Sequence, residues 1–169
     1  FQDGEAPYSD DGGLIHWDDD GRPIVQREEE VRVSLALPRD DMPRSGWPLV
    51  IYSHGTGGNY LTVARQGVAD ELAQEGLASL GFDQVVHGDR DPTGSPYPEL
   101  SFVNLQNILA SRDNMRQGAA DGFALMRLAT APDGIILKRS IGFNGRGAFT
   151  DPHRVLFMGH SQGAITGSP

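Results

Sequence analysis

The sequence predicts an α/β protein with a mostly parallel sheet and flanking helices. Three observations carry this reading. Short apolar runs recur at 49–52, 77–82 and 154–158. Stretches with helical spacing separate them, an alternation that fits a sheet covered by helices. The last run leads directly into Gly159-His160-Ser161-Gln162-Gly163, a turn sequence suited to the junction between a buried strand and a helix.

The elements follow in order. Residues 1–13 are polar and read as a loose N-terminal arm ahead of one domain over 14–169. Leu14-Ile15-His16-Trp17 and Ile24-Val25-Gln26 flank Asp18-Asp19-Asp20-Gly21, which predicts a β-hairpin with an Asp/Gly turn. The acidic triplet lacks the spaced oxygen ligands of a calcium loop, so no metal site is assigned. Val31, Val33, Leu35 and Leu37 alternate with polar or small residues, as a half-buried strand does. The run 49–52 is continuously apolar, as a central strand should be. From Asn59 a helix is expected, with Leu61, Ala64, Val68 and Leu72 on one face and Gly76 closing it. Strand 77–82 follows.

Residues 83–111 are long and irregular, with Pro92, Pro96 and Pro98 and a short helix expected near 102–109. Long loops in compact domains are often functional, and this one reads as a pocket or lid segment. A solvated surface excursion is the other reading. A second helix is expected over 113–129, with Met115, Ala119, Phe123 and Met126 packing into the core. A glycine-rich connection over 133–152 contains a hairpin-like Phe143-Asn144-Gly145-Arg146, and strand 154–158 comes next.

Composition narrows the function. The net charge of −9 argues against nucleic acid and anionic membranes as partners. Hydrophobic residues make up only 38%, while 22 glycines and 11 prolines imply many tight turns. The chain has no cysteine, hence no disulfide, and shows no transmembrane run or signal peptide. Both a secreted or periplasmic and a cytoplasmic location stay open. A first residue of Phe1 is read as a trimmed, processed or partial chain.

Two motifs carry chemistry. Gly159 to Gly163 fits the Gly-x-Ser-x-Gly nucleophile elbow and makes Ser161 the candidate catalytic residue. The second motif is His54-Gly55-Thr56-Gly57-Gly58, which follows the apolar strand 49–52. Such a loop supplies one oxyanion-hole N–H, and the residue after the nucleophile supplies the other. This assigns the donors to Thr56 and Gln162. Each is worth on the order of 3 kcal/mol to the transition state. Gly55, Gly57 and Gly58 let the loop backbone approach a substrate carbonyl, and His54 is expected to orient the loop by hydrogen bonding.

With these motifs the chain resembles the N-terminal half of an α/β-hydrolase. It is similar to the dienelactone-hydrolase and platelet-activating-factor-acetylhydrolase-like branch. It looks closer still to large bacterial hydrolases that combine His-Gly-Thr-Gly-Gly, an Arg-x-Asn-x-Arg-Gln helix start and Gly-His-Ser-Gln-Gly. Here these stand at 54–58, at Arg112-Asp113-Asn114-Met115-Arg116-Gln117 and at 159–163. The resemblance implies a carboxylic ester hydrolase working through an acyl-enzyme on Ser161, without metal or organic cofactor, on a small-molecule or lipid-like ester. Its fold would be truncated just after the elbow. Triad acid and histidine follow the serine in this fold, and only residues 162–169 follow here. Both are therefore expected outside this chain, in a missing C-terminal half of the same fold. The same elbow serves amidases, thioesterases and peptidases, and a non-catalytic binding or interaction domain is the alternative.

Among the histidines, His16 and His153 read as surface residues and His160 as packing beside the elbow strand. His87 sits past a strand end. It is a candidate pocket residue and the only internal substitute for a base, with Asp83 as a carboxylate that could pair with it, though no spacing rule supports such a triad.

Overall fold

A computed structural model describes residues 1–94, 97–137 and 147–167. The sheet contains β1 (Val33–Ala36), β2 (Trp47–Ser53), β3 (Ala78–Phe82), β4 (Ile136–Leu137) and β5 (Ala148–Gly159), in the order β1-β3-β2-β5-β4. The two central pairings, β3 with β2 and β2 with β5, are parallel. Both outer pairings, β1 with β3 and β4 with β5, are antiparallel. The sheet is therefore mixed, a correction to the mostly parallel expectation. The parallel centre arises because helices separate its strands, while β4 pairs with the strand that follows it and β1 crosses past β2 to reach β3.

Helices cover both faces. On one, α4 (Ile108–Ala129) brings Ala129, Leu125 and Met126 against Leu49, Ile51, Leu80 and Phe82. On the other, Tyr52 packs with Val63 and Ala69 of α1 (Thr62–Arg65) and α2 (Val68–Gln74). Every residue of β2 is buried, which explains its unbroken apolar run. Burying a side chain such as Leu49 or Ile51 contributes roughly 1.5–3 kcal/mol.

Several local expectations are corrected. The helix after Asn59 is two short pieces, broken at Gly67 with φ 78°. Its buried residues are Val63 and Ala69, not Ala64. Gly76 does close it, with φ 72° and a bond from Leu77 N–H to Leu72 O of 2.9 Å. In α4, Met115 and Phe123 are exposed, and the buried face holds Asp113, Asn114, Gln117 and Gly118. Polar groups can face inward there because each has a partner. Asp113 takes Arg112 at 2.8 Å, Arg116 at 3.0 Å and the Ile15 N–H at 3.0 Å. Asn114 accepts from Gln2 at 2.8 Å and donates to the Phe102 carbonyl at 2.9 Å.

These bonds also dock the N-terminal arm, which is not loose. Gln2 and Tyr8 are buried, and Gln2 donates to Gly13 O at 2.9 Å. Tyr8 joins Val85, Val86, Phe102 and Ala110 in a small core of its own. The predicted hairpin after it survives as a turn, with Asp18 N–H to Arg22 O at 2.9 Å and a single bridge from Trp17 to Pro23. The short helix expected near 102–109 lies earlier, as α3 (Pro98–Val103), and 108–109 already belong to α4. The turn Phe143-Asn144-Gly145-Arg146 lies outside the described residues. Among the described residues no helix is long and apolar enough to cross a membrane.

Candidate active site

Ser161 stands between β5 and α5 (Gln162–Thr166), with φ 52° and ψ −117°. This backbone region is nearly closed to a residue with a side chain, and holding it costs on the order of 1–3 kcal/mol. The neighbours enforce it. A Cβ on Gly159 would stand 2.5 Å from the carbonyl oxygen of Gly163, and one on Gly163 would collide with the carbonyl of Ser53. Glycine at both positions lets helix and strand meet around the serine. The His160 N–H donates to Ser53 O at 3.0 Å and pins the turn to β2. Ser161 is exposed.

The loop after β2 faces it. A Cβ on Gly55 would lie 2.9 Å from His160 Nδ1 and 3.1 Å from Ser161 Cβ. Loop and elbow enclose a cavity of about 320 Å³ lined by Gly55, Thr56, Gly57, Gly58, His160 and Ser161, with Arg65 and Gln66 on its far wall. Both motifs read from the sequence thus open into one space at the carboxyl ends of neighbouring parallel strands, where α/β sheets bind ligands. Within the loop, Gly57 N–H donates to His87 Nε2 at 3.2 Å and Gly58 N–H to Gly55 O at 3.0 Å. The Thr56 N–H has no acceptor among the described residues. The Gln162 N–H is the first of α5 and lies outside the helical ladder.

His54 is buried beneath this loop. Its Nδ1–H donates to Gly55 O at 2.7 Å, which leaves Nε2 to accept the Gln84 N–H at 3.4 Å. Burial pushes its imidazole down to about 4; the Gly55 bond opposes this and nearby His87 adds to it. The His87 ring lies 5.2 Å from the His54 ring. Its Nδ1–H donates to Val85 O at 2.9 Å, and its Nε2 is the acceptor for Gly57. Burial lowers its pKa also, against the Val85 bond and the carboxylates of Asp83, Asp91 and Glu99.

His87 does not line the Ser161 cavity, and neither do the other described residues of 83–111. The pocket or lid reading of that segment finds no support in this geometry. Both His87 nitrogens are engaged with backbone, so the ring has no free lone pair to take a proton from Ser161. Asp83 instead accepts the N–H of Tyr60 at 2.8 Å and of Asp89 at 3.4 Å. Among the described residues, no side chain hydrogen-bonds Ser161. His160 is exposed rather than packed beside the strand, and His16 is exposed and 2.7 Å from Asp3. His153 is exposed, as expected.

Sequence reasoning missed Gln84, fully buried just after β3, whose amide donates to the His54 carbonyl and accepts from Gln162. Its one visible signal is a polar residue at the end of a wholly buried strand. A larger cavity, about 360 Å³, lies between the N-terminal arm and α4 and holds none of the motif residues. Its charged groups are committed to one another, Arg90 to Asp121 at 2.5 Å and to Glu29 at 3.1 Å. No group of histidine and acidic side chains that could hold a metal occurs among the described residues.

No protein family model matches the chain, and no curated protein matches it in sequence. Among solved structures it is similar to Est1E from Butyrivibrio proteoclasticus with ferulic acid bound. The identity is 24% and the TM-score 0.36, over 88% of this chain and 43% of that one. The chain thus spans less than half the length of that protein.

Proposed function

We propose that this chain carries the nucleophile and oxyanion hole of a serine ester hydrolase of the α/β-hydrolase type. The observation that supports it most is Ser161, exposed at φ 52° on a strand-to-helix turn, facing the Gly55–Gly58 loop across one cavity. A turn held in a costly conformation by glycines on both sides is expected where the strain serves to present a side chain.

In this reading Ser161 Oγ attacks the ester carbonyl while its proton passes to a histidine supplied from outside this chain. The carbonyl oxygen becomes an oxyanion between the N–H groups of Thr56 and Gln162. Collapse breaks the bond to the alcohol oxygen, which takes the proton back from the histidine. Water then repeats the sequence on the acyl-enzyme and frees Ser161. Gly55, Gly57 and Gly58 shape the loop, and His54 and His87 brace it. The acid, the histidine and the rest of the fold come from beyond these residues. The substrate is a small or lipid-like carboxylic ester, and no cofactor enters.

The absence of any described base on Ser161 favours one second reading, a hydrolase-like domain that binds without reacting. A fluorophosphonate probe separates the two. The full-length polypeptide should be labelled at Ser161, and Ser161→Ala should abolish both labelling and turnover of a short-chain aryl ester. A protein that stays unlabelled, with its fold intact, belongs to the second reading.

A further inference from the structure

We propose that Gln84 is a positioning residue that locks the two oxyanion-donor segments into a single unit. The inference rests on the hydrolase reading. Gln84 follows β3 and is fully buried. Its backbone N–H donates to His54 Nε2 at 3.4 Å, and its side-chain Nε2 donates to the His54 carbonyl. Its Oε1 accepts from Gln162 Nε2 at 3.1 Å and from Thr166 Oγ1 at 3.5 Å. His54 stands two residues before Thr56, and Gln162 is itself the other donor. One amide therefore bridges the loop after β2 to the helix after β5. It does so from the strand on the far side of β2 from β5.

The chemistry requires a group with both donors and acceptors at its tip, which an amide has. A carboxylate of the same length could accept from Gln162 and Thr166 but could not donate to the His54 carbonyl. A methionine keeps the volume and loses both ends of the bridge. The consequence is geometric. Two donors must converge about 3 Å from one oxyanion position, and a displacement of about 1 Å can cost on the order of 10²-fold in rate. Because the oxyanion exists only after attack, the loss should fall on kcat rather than on KM.

The test uses the full-length protein and its Gln84→Met variant. Active sites are counted with a fluorophosphonate, and kcat and KM are measured on an aryl ester. The carbonyl stretch of the acyl-enzyme is read by infrared spectroscopy. The expected result is a fall in kcat per titrated site of roughly 10- to 100-fold. KM should stay within about threefold, and the carbonyl stretch should move to higher frequency as its hydrogen bonds lengthen. If Gln84→Met does not fold, Gln162→Met carries the same readouts, since it breaks the elbow end of the bridge and keeps the backbone N–H. Fewer titratable sites with kcat per site and carbonyl stretch unchanged would mean a merely structural role, and would overturn the proposal. A wild-type protein without turnover or labelling would sink the hydrolase reading and this role with it, an outcome visible before any variant is made.

Discussion

Gly57 donates its N–H to Nε2 of His87 across 3.2 Å, from beneath the loop rather than from the cavity side. That bond decides two roles at once. It occupies the lone pair His87 would need to act as a base. It also turns the Gly57 N–H away from any substrate, while Gly58 N–H is spent on Gly55 O at 3.0 Å. Among the described residues the N–H groups of Gly55 and Thr56 have no acceptor within the loop, which leaves the proposed donor, Thr56, unspent. The His87 ring is held by its bonds to Val85 O and Gly57 N–H, and the residue before it, β-branched Val86, stands at φ 49°, where such residues are genuine outliers.

Gly55→Ala tests the contact between loop and elbow. The added Cβ would sit 3.1 Å from Ser161 Cβ and 2.9 Å from His160 Nδ1. The exposed His160 ring can turn aside, but Ser161 is fixed by its turn, so the loop must shift. The expected outcome is a loss of about 10²-fold in kcat, with a stability change of only about 1–3 kcal/mol for mild overpacking. Steady-state kinetics beside a thermal melt would check it; an unchanged kcat would show that the loop does not sit where the oxyanion forms.

Strands β2 and β3 are legible in the sequence because burial on both faces leaves an unbroken apolar run, whereas β5 is marked by the elbow pattern at its end, since Leu156 and Met158 are exposed. Residues 49–52 predicted the core of β2, and the elbow pattern predicted the β5-to-α5 turn. What was not legible depends on contacts distant in sequence. Asp113, Asn114 and Gln117 lie outside the apolar stripe expected for α4. They turn inward because the Ile15 N–H, Gln2 and the Phe1 amine reach Asp113, Asn114 and Gln117 in turn, partners that no helical period reveals. The polar composition of the arm hides its docking for the same reason, since Gln2 and Tyr8 are held by residues more than seventy positions away. Gln84 escapes a functional assignment, and the loop-bracing bond of His87 is not foreseen, because their hydrogen bonds run to the loop 54–58, some thirty residues earlier.

His54 should stay neutral until the solution is distinctly acidic. Its folded pKa is about 4, below the ~6.5 of an unfolded histidine. Above about pH 6.5 neither state holds the proton and the site is indifferent to pH. As pH falls from there toward 4, the unfolded chain takes up a proton that the folded one refuses, so stability falls. The contribution lost approaches roughly 3 kcal/mol at the bottom of that window, by linkage. Imidazole carbon shifts followed by NMR should show the His54 ring neutral at pH 5.5. A midpoint near 6.5 would contradict the burial that produces the shift.

Asp113→Ala should release the N-terminal arm. The carboxylate is buried and holds Arg112, Arg116 and the Ile15 N–H together. Removing it leaves that N–H without its acceptor, at a cost of about 1–3 kcal/mol. The two arginines are half exposed and contribute little more, because solvent screens them. Hydrogen exchange should accelerate at Ile15 and at the bridge between Gln2 and Ile15, with the sheet amides less affected. Protection unchanged at Ile15 would mean that the arm is held by its apolar contacts through Tyr8 instead.

Residues 1–169 expressed alone should be inactive and prone to associate. Catalysis fails because a serine without a positioned base is a weak nucleophile. The two buried histidines nearest the loop are both tied to backbone atoms. The oxyanion donors could still leave a small rate above water, of the kind seen when a triad member is removed. Association has a separate cause. Among the described residues no strand pairs with the outer edge of β5 beyond Phe149. Leu156, Met158 and Ile165 are exposed beside it, with Phe123 of α4. An apolar strand with one open edge is a template for pairing between chains. Light scattering should therefore rise with concentration, and Leu156→Lys, which places a charge on that strand, should suppress it. In the same preparation an aryl ester should be hydrolysed no faster than by the Ser161→Ala control, because any residual rate from the oxyanion donors is common to both. Robust turnover that vanishes on Ser161→Ala would overturn this expectation, since it would require a base within these residues, and His160, the exposed neighbour of the serine, would be the first to replace.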